Sequence, residues 1–193
     1  MVSPGKSIFS PVQLAVVAAM AVLMFLIFLA TGNLIVEATG IPVSGGFAMF
    51  FLFTLVAVFT RLVLNRFGSA TLMALVFGIL GLSAPLLGPP GFFPKLIIIV
   101  VIGLMFDISF AILGKWEKTA SVIAGLLHCY LGLGTIILIF ELFLPPVALA
   151  AFLTLVPYFL AIIWIEGILG GLIGWWIYNR LRNRAVIQRI QGA

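Results

Sequence analysis

The sequence has little of the chemistry that depends on sulfur or imidazole, because it contains one cysteine, Cys129, and one histidine, His128. A single cysteine excludes a disulfide within the chain and any thiolate cluster for a metal. A paired-histidine motif such as His-Glu-x-x-His is equally excluded. We therefore predict no enzyme activity, assign no catalytic residue, and expect neither a metal nor a cofactor.

Charge is also scarce, since 8% of the 193 residues are charged and 64% are hydrophobic. The mean hydropathy is +1.38. A soluble domain of this length has too small an interior to hide so much apolar surface. The sequence therefore predicts an all-α integral membrane protein in a lipid bilayer. No small-residue cleavage site follows the first apolar run, which favours a retained helix over a removed signal peptide.

Six apolar runs, each of about the length that crosses a bilayer core, alternate with turn-forming segments. We predict a single six-helix transmembrane domain covering residues 1–193. Its spans are predicted at about 11–31, 47–64, 69–87, 94–113, 119–144 and 147–178. The sixth run is too long for one perpendicular helix, so it begins late, kinks at Pro157 or tilts.

The net charge is +5. The cations are distributed as the predicted topology requires, so this charge does not indicate a nucleic-acid partner. Lys95 alone falls on one side of the predicted membrane. Nine cations fall on the other: Lys6, Arg61, Arg66, Lys115, Lys118, Arg180, Arg182, Arg184 and Arg189. By the positive-inside rule, both termini are predicted to be cytoplasmic, and the arginines after residue 178 mainly anchor the topology. Trp175, Trp176 and Tyr178 directly precede those arginines and are predicted to form an interfacial aromatic belt.

Three ionisable residues, Asp107, His128 and Glu166, lie inside predicted spans, where such groups are costly and usually face the bundle interior. Each shares a helical face with small residues, which mark close helix contacts in membranes. Glu166 shares a face with Gly170, on the edge of a glycine stripe formed by Gly167, Gly170, Gly171 and Gly174. The depths of Asp107 and His128 permit a buried polar pair. Glu166 lies nearer the outer half of the membrane, as a ligand contact or as another packing contact.

The predicted outer loops carry further candidate residues. The segment "EATGIPVSGG" contains Glu37 and Ser44, and "GPPGFFPK" ends with Lys95. A flexible loop opposite a proline-stiffened one suits a pocket with a lid, although ordinary interhelical turns use the same residues. Trp164 flanks the glycine stripe and is predicted either to line a pocket or to face lipid.

Two stretches resemble a known family. The sixth run, "IEGILGGLIGWWIYNRL", is similar to the acid, small-residue ladder and basic exit of the S components of energy-coupling factor (ECF) transporters. In "AVVAA", Ala15 and Ala19 match the alanine-x-x-x-alanine pattern with which S components dock on a shared transmembrane T component. The resemblance extends to the length, the six predicted spans and the cytoplasmic termini.

The resemblance implies a binding subunit in a prokaryotic cell membrane. It would capture a vitamin or related small organic micronutrient in an outward-facing pocket and dock on a T component driven by two ATP-binding subunits. The pocket would then draw on six residues: Glu37, Ser44, Lys95, Tyr158, Trp164 and Glu166. A metal cargo is disfavoured, because the nickel and cobalt members use a histidine at the extreme N-terminus that this chain lacks. An aromatic-bearing cargo with one charged or hydrogen-bonding group fits better.

The alternative function is a stand-alone secondary carrier or proton-coupled transporter that uses Asp107, His128 and Glu166 as a relay. No strong internal repeat of the kind found in many such carriers is visible. The three residues also lie at unequal predicted depths. The two functions differ in whether the isolated chain moves solute or mainly binds it.

Overall fold

In a computed structural model, residues 9–39, 49–84, 90–143 and 145–192 are described. Within these ranges the chain forms helices and turns, with no strand. The helices are α1 (Pro11–Thr39), α2 (Met49–Leu64), α3 (Ser69–Gly81), α4 (Pro94–Leu113), α5 (Glu117–Phe143), α6 (Pro146–Leu181) and α7 (Ala185–Gly192). A 3₁₀ turn, Gly114–Trp116, joins α4 to α5.

Three segments are long and apolar enough to cross a bilayer: Pro11–Gly32, Pro94–Leu138 and Phe152–Leu181. The second of these contains α4 and most of α5, which pack against each other. The helices α2 and α3 are apolar but shorter, with 16 and 13 residues. The fold is thus an all-helical apolar bundle, compatible with a membrane protein.

The first helix is longer than the sequence indicates. A span ending near residue 31 was expected, because glycine and polar residues follow it, but α1 continues to Thr39. The hydroxyl of Thr31 donates to the carbonyl of Ile27 at 2.8 Å, which keeps this threonine within the helical pattern. Glycine is tolerated in membrane helices, and no proline lies between Gly32 and Thr39 to stop the helix. Glu37 therefore lies on a helix and not in a loop.

Helix α2 is the centre of the bundle, because it contacts α1, α3, α4, α5, α6 and α7. Apart from Thr54, Thr60 and Arg61 its residues are apolar, and a helix that is apolar on nearly all sides is expected to be buried in this way. Its core residues include Phe53, Ala57, Val58 and Val63, all almost fully buried. The remaining helices surround α2, with α5 against α6, α3 against α4, and α1 against α2 and α3.

The glycine stripe of α6 serves close helix packing. A Cβ atom on Gly170 would lie 2.7 Å from the carbonyl oxygen of Phe51 in α2. One on Gly167 would lie 2.7 Å from the carbonyl oxygen of Gly125 in α5. Gly174 faces α2 and Gly171 faces α5 in the same manner. The prediction that these small residues mark close contacts is confirmed, because any side chain there would meet a neighbouring backbone.

The connections use residues with unusual backbone freedom only where the chain turns sharply. Between α2 and α3, Asn65 has φ 47° and Gly68 has φ 89°, a region that glycine and asparagine enter at low cost. Pro94 stands in the first turn of α4, where its missing N–H costs nothing. Pro157 lies inside α6, which continues unbroken from Pro146 to Leu181.

The C-terminal helix α7 closes one end of the bundle. Ile187 is buried there, and the side-chain amide of Gln191 donates to the carbonyl of Leu62 at 3.2 Å and to the Tyr178 hydroxyl at 3.3 Å. Tyr178 is only 7% exposed, so its predicted place in an interfacial belt is wrong. Its hydroxyl has a protein partner in α7 and does not need water or headgroups.

Large apolar side chains cover much of the outer surface. Ile112 is 75% exposed and Val147 is 83% exposed. Contact with lipid makes the exposure of such side chains favourable, whereas contact with water does not. Ala15 and Ala19 are both exposed on α1, beside exposed Leu14 and Val22.

Candidate functional site

Asp107 of α4 is fully buried and caps the start of α3. Helix α3 follows Gly68, which has no side chain to cap it. The Asp107 carboxylate takes that role: it accepts from the Thr71 amide at 2.8 Å, the Thr71 hydroxyl at 2.7 Å and the Ala70 amide at 3.4 Å. These are the second and third amides of the helix, the donors that an N-cap residue normally satisfies.

Asp107 also forms a buried ion pair. The Nε atom of Arg61, on α2, lies 3.1 Å from one carboxylate oxygen. Its N–H does not point at that oxygen, so the contact is Coulombic more than a hydrogen bond. The guanidinium also lies over the ring of Phe110, 5.6 Å from its centre. Arg61 is only 8% exposed, so its charge neutralises Asp107 inside the bundle. It is therefore weaker evidence for the orientation of the chain in a membrane than the exposed cations are.

His128 of α5 has a different partner. Its Nδ1 atom lies 2.8 Å from the hydroxyl of Thr54 on α2, and three phenylalanine rings surround the imidazole at centroid distances of 5.0 to 5.5 Å: Phe50, Phe53 and Phe106. The predicted pairing of Asp107 with His128 is therefore wrong, although both side chains are buried. The amides of α3 and the cation of Arg61 provide stronger partners for a carboxylate than a neutral imidazole does.

Glu166 lies where α2, α5 and α6 meet. Its carboxyl group accepts a hydrogen bond from the backbone of Phe51, in the first turn of α2. It also lies close enough to the thiol of Cys129 in α5 for a Coulombic interaction. That thiol itself donates to the Ile163 carbonyl at 2.9 Å. The second carboxylate oxygen, Oε2, is buried and has no hydrogen-bond partner. A buried carboxylate oxygen without a hydrogen bond is energetically costly in an apolar bundle, and such atoms normally have a donor nearby.

The other predicted pocket residues lie in different surroundings. Lys95 is 1% exposed, and its ammonium group donates to the Ala84 carbonyl at 2.8 Å, so it ties the start of α4 to the end of the α3 segment. Tyr158 is 72% exposed on α6, and Trp164 is 43% exposed with its ring 5.5 Å from that of Tyr130 on α5. Glu37 is exposed on α1. Ser44 lies outside the described residues.

The bundle therefore holds two polar sites around carboxylates. In the first, the Asp107 carboxylate has polar partners on both oxygens, from Arg61 and from the start of α3. The other is Glu166 at the junction of α2, α5 and α6. Gly170, one turn after Glu166, packs on Phe51 and on the methyl side of Thr54, whose hydroxyl bonds to His128. Thr54 was not singled out from the sequence, although a hydroxyl in a predominantly apolar helix was a usable signal. Among the described residues no group of three side chains suits a metal ion.

Comparisons with protein-family models, with curated proteins and with solved structures find no match to this chain.

Proposed function

We propose that this protein is the substrate-binding S component of an ECF-type importer. It spans the membrane six times with both termini in the cytoplasm, and it binds a vitamin or related small organic micronutrient. It acts with a transmembrane T component and two ATP-binding subunits. The all-helical apolar bundle supports this proposal, as do the exposed alanines of α1 and the placement of Glu166.

The observation that carries the proposal is the unpartnered carboxylate oxygen of Glu166. The glycines beside it bring three helices so close that a larger residue would collide with backbone. A bundle that gives Asp107 four polar contacts leaves this second acid incomplete. A donor group on a bound cargo would complete it.

The exposed alanines support the proposed docking. Ala15 and Ala19 lie one helical turn apart on α1 and are both exposed. Small side chains at this spacing allow a second helix to approach closely. In the proposed assembly that helix belongs to the T component.

The test uses the small molecule that co-purifies with the protein, identified by mass spectrometry after denaturation. Its affinity is then measured by tryptophan fluorescence with wild-type protein and with Glu166→Gln, which keeps an acceptor for the Phe51 amide. Loss of a charged hydrogen bond predicts at least ~10-fold weaker binding. The matched control is Glu141→Gln, an exposed acid on α5. Equal affinity for wild type and Glu166→Gln would exclude Glu166 from the site.

A vesicle experiment separates this proposal from the stand-alone carrier. An S component reconstituted alone binds its cargo and does not accumulate it, whereas a proton-coupled carrier moves solute when a proton gradient is applied. The structure offers the relay little support, because Asp107 and His128 each bond to other partners. Gradient-driven uptake by the isolated chain would overturn the S-component proposal.

A further inference from the structure

An open groove of about 480 Å³ lies at one end of the bundle, where the 3₁₀ turn leads into α5 and where α6 ends. Its lining is chiefly charged and aromatic. The residues that matter for its chemistry are Lys115, Trp116, Glu117, Lys118, Trp175 and Arg182. None of the residues proposed to bind cargo or to dock on a partner belongs to it.

The groove carries an excess of positive charge. Three cations, Lys115, Lys118 and Arg182, face one carboxylate, Glu117, which leaves two uncompensated charges. Among the described residues none of these cations forms an ion pair. The ammonium group of Lys118 instead lies over the Trp175 ring, 5.6 Å from its centre, so it is held beside the groove by a cation–π contact. A concave surface of one charge sign attracts an ion of the opposite sign.

The same end of the bundle carries the aromatic residues expected at a membrane–water interface. Trp116 is 67% exposed and Trp176 is 52% exposed, with the Arg180 guanidinium 5.4 Å above the Trp176 ring. Tryptophan concentrates where the headgroups of a bilayer begin. An interface at these tryptophans would place the cations of the groove, between the start of α5 and the end of α6, at the level of the lipid phosphates.

We propose that this groove binds the headgroup of an anionic phospholipid. Lys118 and Arg182 contact its phosphate from the two helix ends, and Trp175 and Trp116 pack against the adjoining glycerol region. A soluble phosphate has the same kind of anionic oxygens but no apolar part, and so it would leave the tryptophans without a role. A bound lipid would bridge α5 and α6, the helix pair that also holds Glu166.

The test measures lipid binding to the full chain in detergent micelles by native mass spectrometry. Phosphatidylglycerol is compared with phosphatidylcholine of the same acyl chains. A cation near an anionic headgroup contributes on the order of fivefold in affinity. The variant Lys118→Gln/Arg182→Gln is therefore expected to bind phosphatidylglycerol roughly 25-fold more weakly. The matched control, Arg184→Gln/Arg189→Gln, removes two exposed cations from the same end of the chain outside the groove.

Three results would overturn the proposal. Equal binding of the two lipids by wild-type protein would show that the headgroup charge is not recognised. An equal loss in the control variant would show a general effect of net charge. Displacement of phosphatidylglycerol by excess inorganic phosphate would show a site for the free anion. All three arms work without the cargo, so the outcome is independent of the S-component assignment, and circular dichroism verifies that each variant is folded.

Discussion

Removal of either partner of the buried Arg61–Asp107 pair should destabilise the bundle far more than removal of both. Asp107→Asn leaves the Arg61 cation without a counter-charge in an apolar interior, while the asparagine carbonyl still accepts from Thr71. Arg61→Met leaves the carboxylate, which keeps its contacts at the start of α3. The double variant contains neither charge and replaces the pair with groups of similar size.

The separation of 3.1 Å between the charged atoms sets the magnitude. At an effective dielectric constant of about 20, the Coulomb energy of two unit charges at this distance is about 5 kcal/mol. Breaking a buried pair by removing one partner typically costs about 3–5 kcal/mol, whereas replacing both partners is often nearly neutral. We therefore expect Asp107→Asn to cost about 3–5 kcal/mol and the double variant to cost much less than the sum of the single variants.

The assay is equilibrium unfolding in mixed micelles with increasing sodium dodecyl sulfate, followed by circular dichroism, for all four members of the double-mutant cycle. Ordinary interhelical hydrogen bonds in membranes couple by about 0.6 kcal/mol and at most about 1.7 kcal/mol. A coupling energy above about 1.7 kcal/mol supports a charge pair. A smaller value would refute the reasoning, because it would show that the two groups are stabilised separately.

Three further changes test packing and assembly. Gly170→Ala places a methyl group 2.7 Å from the Phe51 carbonyl and should cost about 1–3 kcal/mol in the same unfolding assay. Gly134→Ala, with open space around it, should leave stability unchanged or raise it by up to about 1 kcal/mol, because alanine is the better helix former. An equal loss of stability in both variants would contradict the packing role. Thr54→Val removes the hydroxyl bonded to His128 and should cost about 1 kcal/mol, and unchanged stability would show that this bond contributes nothing. Replacing Ala15 and Ala19 with leucine should prevent co-purification with the T component, and normal recovery of the complex would exclude that surface.

Much of the helical architecture was predictable from the sequence, because long apolar runs and proline- or glycine-containing breaks are local signals. Each of the six predicted spans overlaps one of the helices α1 to α6. The end of α1 was not predictable in the same way. The residues after Gly32 can enter either a loop or a helix, and local propensity alone does not decide between them.

The partners of the buried polar residues could not be read from the sequence. Depth along a helix follows from its rise per residue, and it permitted a pairing of Asp107 with His128, whereas the two side chains have different partners. Depth does not tell which neighbour a side chain faces. Asp107 faces the uncapped start of α3 because Gly103, one turn earlier, lets α4 approach Ala70 and Thr71 closely. That contact depends on the order of helices around α2, which no local pattern encodes.

Asp107 is buried and Glu166 is partly buried, and the two acids differ in how many of their carboxylate contacts are made. Asp107 lies at the start of α3 and Glu166 at the start of α2, where free amides stabilise a carboxylate even in an apolar bundle. Asp107 contacts a cation, two amides and a hydroxyl, so its carboxylate oxygens are fully used in contacts that stabilise the fold. Glu166 has a backbone contact and one buried oxygen without a partner. Glu166→Gln should therefore weaken ligand binding more than it lowers the free energy of unfolding. Asp107→Asn should chiefly lower the free energy of unfolding.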